Sequence, residues 1–114
     1  MWRKRAYNTG ADTMADLGFQ PDGPASNIDY HALAQAPCLQ VHADGGYLEE
    51  HRLGSYGFTL TSWTYQRSEN AWERRIIGFG CASFSECDHS LHAELAAIDQ
   101  ILTIIATCAF KAVA

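Results

Sequence analysis

The chain has 114 residues, which allows one domain and little more. Apolar residues make up 47 %, enough for a real core, and the formal net charge of −5 argues against a generally basic surface that coats nucleic acid. It does not exclude a site that reaches phosphates through a bound cation, because the ion reverses the local sign.

Residues 1–19 read as a short helix. Asn8 and Thr9 are caps for it, Met14, Leu17 and Phe19 supply a partial apolar face, and Gly18 ends it. The Arg3-Lys4-Arg5 cluster before it reads as a solvated end, and no apolar core follows it, so no secretory signal is expected. Residues 20–37 carry Pro21, Pro24 and Pro37 with Gly23 and Ser26, the composition of a linker. Inside it, Asn27 or Asp29 starts a brief helical turn that runs to Ala36. The first 37 residues thus form a helical arm and linker, and residues 38–114 form the domain proper.

From Cys38 the pattern changes. Leu39, Val41 and Ala43 alternate with Gln40, His42 and Asp44, which predicts a strand, and Gly45-Gly46 permits a sharp turn after it. A second strand is expected from Gly54 to Trp63, with Tyr56, Phe58 and Leu60 on one face. Gln66 to Ala71 reads as a polar hairpin connection. A third strand runs from Trp72 to Phe84, with Ile77, Phe79 and Cys81 on one face and Gly78 and Gly80 on the other, where something packs closely. Three consecutive strands on short loops make an antiparallel meander. Trp63, Tyr65 and Trp72 read as cross-strand pairs or as stacking platforms for nucleic acid, and Arg74-Arg75 as phosphate contacts or as blunting of an edge.

The last element is a helix from Leu91 to about Phe110, capped by Asp88 or Ser90, with Leu91, Leu95, Ile98, Leu102 and Ile105 at helical spacing. The apolar run Ile101 to Phe110 is ten residues long against the roughly 20 that a spanning helix needs, so no membrane partner is expected. Cys38, Cys81, Cys87 and Cys108 form no C-x-x-C and read as free, mostly buried thiols of a soluble, intracellular protein.

Two acids stand out. Asp44 ends a strand. Glu94, near the start of the last helix, lies within roughly 40° of Ile98, Ile101 and Ile105 at about 100° per residue, so it heads the stripe expected to face the sheet, whereas Asp99 points to solvent. Burying a carboxylate with no partner costs several kcal/mol, so Glu94 either reaches water at the core edge or meets a cation. Asp-Gly is also an ordinary strand-ending turn. Jointly, the two acids suggest a divalent-metal site.

The order of a strand with A-D-G-G, a strand with G-x-x-G-F, a strand with I-I-G-F-G and a helix opening H-A-E-L-A-A resembles the first half of a type 1 ribonuclease H domain of the kind attached to retroelement reverse transcriptases. The resemblance covers about residues 38–107. It implies an α/β, ribonuclease H-like but truncated fold, here a three-stranded antiparallel meander covered by one long helix and preceded by the helical arm. It implies the hydrolysis of RNA in an RNA–DNA hybrid, with two Mg²⁺ ions, and makes Asp44 and Glu94 the metal-bridging carboxylates. Hard Mg²⁺ takes oxygen ligands, and two ions about 4 Å apart activate water and stabilise the leaving oxygen. The hybrid would be read by shape and by 2′-hydroxyls.

The family also carries an acid on a fourth strand after the helix and another at the start of its last helix. After Glu94 this sequence offers only Asp99. Tyr7 to Asp16 is similar to the family's last helix, and Asp12 matches its acid, so a circularly permuted arrangement brings Asp12 to Asp44 and Glu94. The fourth strand's acid remains missing, so the chain is expected to be weakly active, or to be a catalytically inactive retroelement remnant or interaction module. Its Leu39–Ala43 edge, which the family covers, is expected to pair with a second copy or to aggregate.

Two zinc readings compete. His92-Ala93-Glu94 matches the H-x-E element of zinc deaminases, but P-C-x-x-C does not follow. Cys81, Cys87, His89 and His92 form a looser candidate set, against which stands their plain reading as loop and helix-start residues.

Overall fold

A computed structural model describes residues 9–19 and 26–113, without the side chains of Thr9, Asp12 and residues 109–113. The Arg3-Lys4-Arg5 cluster, Asn8, Pro21 and Pro24 lie outside the described residues. Helix α1 (Thr9–Gly18) is followed by strand β1 (Ser26–Ile28), helix α2 (Tyr30–Gln35), strand β2 (Cys38–Leu48), a 3-10 turn (Glu49–His51), strands β3 (Leu53–Gln66) and β4 (Ala71–Phe84), and helix α3 (Ser90–Val113).

The sheet is antiparallel, with strand order β1-β4-β3-β2. Among the described residues it therefore has four strands rather than three. The added strand is Ser26–Ile28, inside the expected linker, where Ile28 sits opposite Gly78 and Ser26 opposite Gly80. A Cβ on Gly78 would lie 3.2 Å from Leu60 Cδ1 and 3.3 Å from Ile28 Cγ1, so this glycine admits the close packing its position suggested. Asp29 then caps α2, its carboxylate accepting from the Ala32 N–H at 2.9 Å.

Gly45-Gly46 makes no turn. Strand β2 runs straight through both and ends at Leu48. Their missing side chains serve the two faces of the sheet instead. A Cβ on Gly45 would meet α3, and one on Gly46 would meet the Phe19 ring and Ser55 Oγ on the α1 side. Helices α1 and α3 thus cover opposite faces.

On the α3 face the core gathers Leu33, Phe58, Leu60, Ile77, Ile101, Ile104 and Cys108. Ile77 joins them through a bulge: Leu60 pairs with Gly78 and Thr61 with Ile76, which leaves Ile77 as the extra residue and separates it from the face of Phe79 and Cys81. On the α1 face the packing is between small groups. Ala11 and Ala15 are buried, Gly57 leaves no room for a Cβ beneath Met14 and Ala15, and the buried Ser55 hydroxyl donates to the Ala15 carbonyl at 2.6 Å. Met14 and Leu17, expected as the apolar face, flank this contact and are only partly buried.

The same rule displaces α3. Its buried stripe is Ala93, Ala97, Ile101, Ile104 and Cys108, about 70° around the helix from the stripe headed by Glu94. Glu94 is therefore exposed, as is Asp99. Alanines at 93 and 97 let the helix start come close to the strands, and closeness at that end outweighs the larger side chains on the neighbouring flank. By length and composition, Ser90–Cys108 is also long and apolar enough to cross a membrane, with mean hydropathy 1.3. Here one face of that segment packs on the sheet.

Candidate functional site

Strand β2 carries Asp44 at its glycine-rich end, and Gly45 follows it. A Cβ on Gly45 would lie 2.5 Å from both the Ala93 carbonyl carbon and the Glu94 nitrogen. The start of α3 thus rests directly on the strand that bears Asp44, and the backbones of the two predicted acids are neighbours.

Their side chains leave on different faces. Asp44 pairs with Gly57, and paired residues share a face, so Asp44 lies on the side covered by Met14 and Ala15 of α1. His42, opposite Thr59, shares that side, and a Cβ on Gly10 would meet Thr59 Cγ2 at 3.1 Å. Glu94 belongs to the α3 side. Both acids border β2, the outermost of the described strands on that side, so the place between them is the rim of the described sheet rather than its interior. Asp44 is half-buried and Glu94 exposed. Asp12 lies in α1, the helix on the Asp44 face, and its side chain is outside the described residues.

Among the described residues, no three His, Cys, Asp or Glu side chains gather as a metal-holding group. The zinc candidates are occupied with backbone. His89 Nδ1 accepts from the His92 N–H at 3.1 Å, His92 Nδ1 from the Asp88 N–H at 3.4 Å, and the Cys87 thiol donates to the His89 carbonyl at 3.3 Å. This is reciprocal capping of α3 by two imidazoles, where Asp88 or Ser90 was expected. Asp88 instead pairs with Arg52 at 2.7 Å. Imidazole in the acceptor tautomer can do what a serine or aspartate side chain does at a helix start, and only the spacing of His89 and His92 hinted at it.

All four cysteines are free, and Cys81, Cys87 and Cys108 are buried while Cys38 is exposed. Burial pushes the Cys81 thiol above its usual range. Burial first, and the Cys81 charge second, push the Tyr56 hydroxyl up as well.

Tyr65 and Trp72 are cross-strand partners with ring centroids 5.4 Å apart. Trp63 donates from Nε1 to Gln40 Oε1 at 2.8 Å. With Cys38 and Leu39 the two tryptophans line an open groove of about 500 Å³, some 20 Å along β2 from Asp44. Arg75 reaches Asp29 at 3.7 Å across an exposed rim. Compared with known proteins, the chain matches no family model, no curated protein and no solved structure.

Proposed function

We propose that this is a nucleic-acid-binding protein of the ribonuclease H type, in which Asp44 and Glu94 hold Mg²⁺ at the rim of β2. What supports the reading is the seating of the Ala93–Glu94 peptide on Gly45, which brings together the backbones of two acids fifty residues apart in sequence, their side chains leaving on the two faces of the same rim. Helix α1, which carries Asp12, packs on the sheet face that Asp44 shares, and this is in keeping with Asp12 as a third acid.

Carboxylates are the donors that Mg²⁺ prefers, and a rim site leaves it the waters it is reluctant to lose. Bound there, the ion would supply Lewis acidity toward a phosphodiester and a more acidic water. Asp44, fixed by the ladder of β2 and β3, would set the position of the ion. Glu94, on the more open side, would close the coordination. The RNA–DNA hybrid would lie along the rim, with the groove of Trp63 and Trp72 as a stacking surface farther along the same strand. A single-ion site is what two firm carboxylates support, so cleavage is expected to be slow beside a complete two-ion enzyme. Buried free thiols accord with a reducing, intracellular setting.

A second reading, an inactive retroelement remnant or interaction module that keeps part of the fold, is favoured by the lack of a three-ligand group among the described residues. Cleavage of a labelled RNA–DNA hybrid with and without Mg²⁺, run beside Glu94→Gln, separates the two. Mg²⁺-dependent cleavage lost in Glu94→Gln supports the enzyme. Hybrid binding without cleavage supports the module. Neither binding nor cleavage rejects the nucleic-acid reading altogether.

A further inference from the structure

A cavity of about 210 Å³ lies between the sheet and α3, on the flank of the helix away from β2. Residues of β1, β3 and β4 line one side of it, and Gln100 and Ile104 of α3 line the other. Gln100 is roughly 120° around the helix from Glu94, so this cavity and the rim of β2 are separate places.

The sheet makes the room by what it omits. In register, Gly80 sits between Ser26 of β1 and Phe58 of β3, and Ala82 sits opposite Tyr56. A glycine inside a strand is a common mark of a place where another group approaches the backbone closely.

The lining combines two kinds of surface. Ile28, Phe58 and Ile104 give apolar walls, and Ser26, Tyr56 and Gln100 give two hydroxyls and an amide. Among the described residues, these three polar side chains have no hydrogen-bond partner in the protein, so water or a ligand must satisfy them. Burial raises the Tyr56 hydroxyl above its ordinary value, so it stays a donor well past neutral pH. None of the described lining side chains carries a formal charge. An ion held here would find no counter-charge, which costs several kcal/mol, so the fitting occupant is neutral.

Size narrows the choice further. An apolar cavity of about 150 Å³ holds a benzene ring, so the space here suits one such ring with its substituents. The Gln100 amide sets an N–H donor beside a carbonyl acceptor, the complement of a cyclic-amide edge.

We infer that this cavity binds a neutral six-membered heterocycle with a cyclic-amide edge, the chemistry of a uracil base. Gln100 would pair with that edge, Tyr56 and Ser26 would donate to the remaining carbonyl, and Phe58 and Ile104 would flank the ring. The inference stands apart from the metal reading, since no ion and no acid takes part.

Nuclear magnetic resonance of the isotope-labelled full chain, titrated with free uracil in buffer without divalent metal, tests this. The side-chain amide signals of Gln100 should shift and saturate with a Kd of about 1 mM or tighter, which a fragment of this size can reach. Uracil methylated at N3 lacks the donor of the edge and should bind about tenfold more weakly or worse. So should orotate, the same ring with a carboxylate. Gln100→Leu should weaken binding by a similar factor and leave the melting temperature unchanged. Ala82→Leu, which fills the space, should abolish binding, and the ligand series decides the matter without it if that variant fails to fold. Oligouridylate that shifts the same signals at lower concentration than uracil assigns the base to an RNA strand, whereas uracil binding as tightly or more tightly assigns it to the free heterocycle. Gln100 signals that stay unmoved near the solubility limit of uracil overturn the inference. So does binding that benzene matches, which marks a plain apolar void, or binding that Gln100→Leu leaves unchanged.

Discussion

Gly45 and Ala93 meet where strand and helix are closest: a methyl on the glycine would lie 2.5 Å from the alanine's carbonyl carbon. The obstacle is helix backbone, which cannot swing aside like a side-chain tip. Gly45→Ala should therefore lift the start of α3 from β2 and cost about 1–3 kcal/mol, the usual range for overpacking. Urea denaturation measures it, and an unchanged midpoint would refute the close approach.

If Asp44 and Glu94 share an ion, Asp44→Asn and Glu94→Gln should each weaken Mg²⁺ binding about tenfold or more, and the double variant should lose little beyond the worse single one, because the two act as a unit. Titration calorimetry reads all three. Unchanged binding in either single variant rejects a shared site.

The buried Cys81 and Tyr56 give the fold a defined response to alkali. Both ionise less readily in the native protein than in the unfolded chain. Native protein therefore holds more protons, and stability must fall as pH climbs above about 8.5, the ordinary thiol value, toward the raised native values. Below that window both groups are protonated in either state and contribute no slope. Replacing Cys81 with alanine should flatten the decline between pH 8 and 10 in thermal melts.

Glu86 holds a left-handed backbone with φ 61°, and Asn70 in the hairpin turn has φ 49°. Both are exposed. Glycine relieves such a conformation, so Glu86→Gly is expected to raise stability by about 1 kcal/mol, with a smaller gain for Asn70→Gly because asparagine tolerates the region better. Chemical denaturation of the two variants checks the order.

The helix start offers a direct test of its unusual cap. His89→Ala removes the acceptor for the His92 N–H and should cost about 1 kcal/mol, whereas His89→Asp supplies an oxygen acceptor at the same place and should recover it. Equal melting temperatures for both variants would show that the imidazole contact carries no weight.

The long strands and helices were readable because alternation and helical spacing are strong local signals over ten or more residues. The Asp29 cap and the Tyr65–Trp72 pair were readable for the same reason, since both depend on local chemistry. The strand at Ser26–Ile28 was hidden: three residues among prolines and glycines show no period, and only pairing with Gly78–Gly80 makes them a strand. The facing of α3 was misread because hydrophobic size was weighed without the partner. Opposite the glycines of β2, Ala93 fits where Leu91 or Leu95 cannot. Gly45-Gly46 carried that information, but in a sequence two adjacent glycines look the same whether they bend a strand or let two helices near it. The separation of Asp44 and Glu94 onto different faces followed from the same pair, since strand alternation sends the two glycines to opposite helices.

The hairpin of β3 and β4 also dictates an order of assembly. Its fourteen-residue arms are joined by a four-residue turn at 67–70, so its pairings close short loops and form early. Helix α1 is tied to that hairpin by Ser55 and Ala15, forty positions apart, and has no surface to dock on until the hairpin exists. During synthesis α1 therefore emerges well before the surface it docks on, and a ribosome stalled before residue 84 should leave it open to protease.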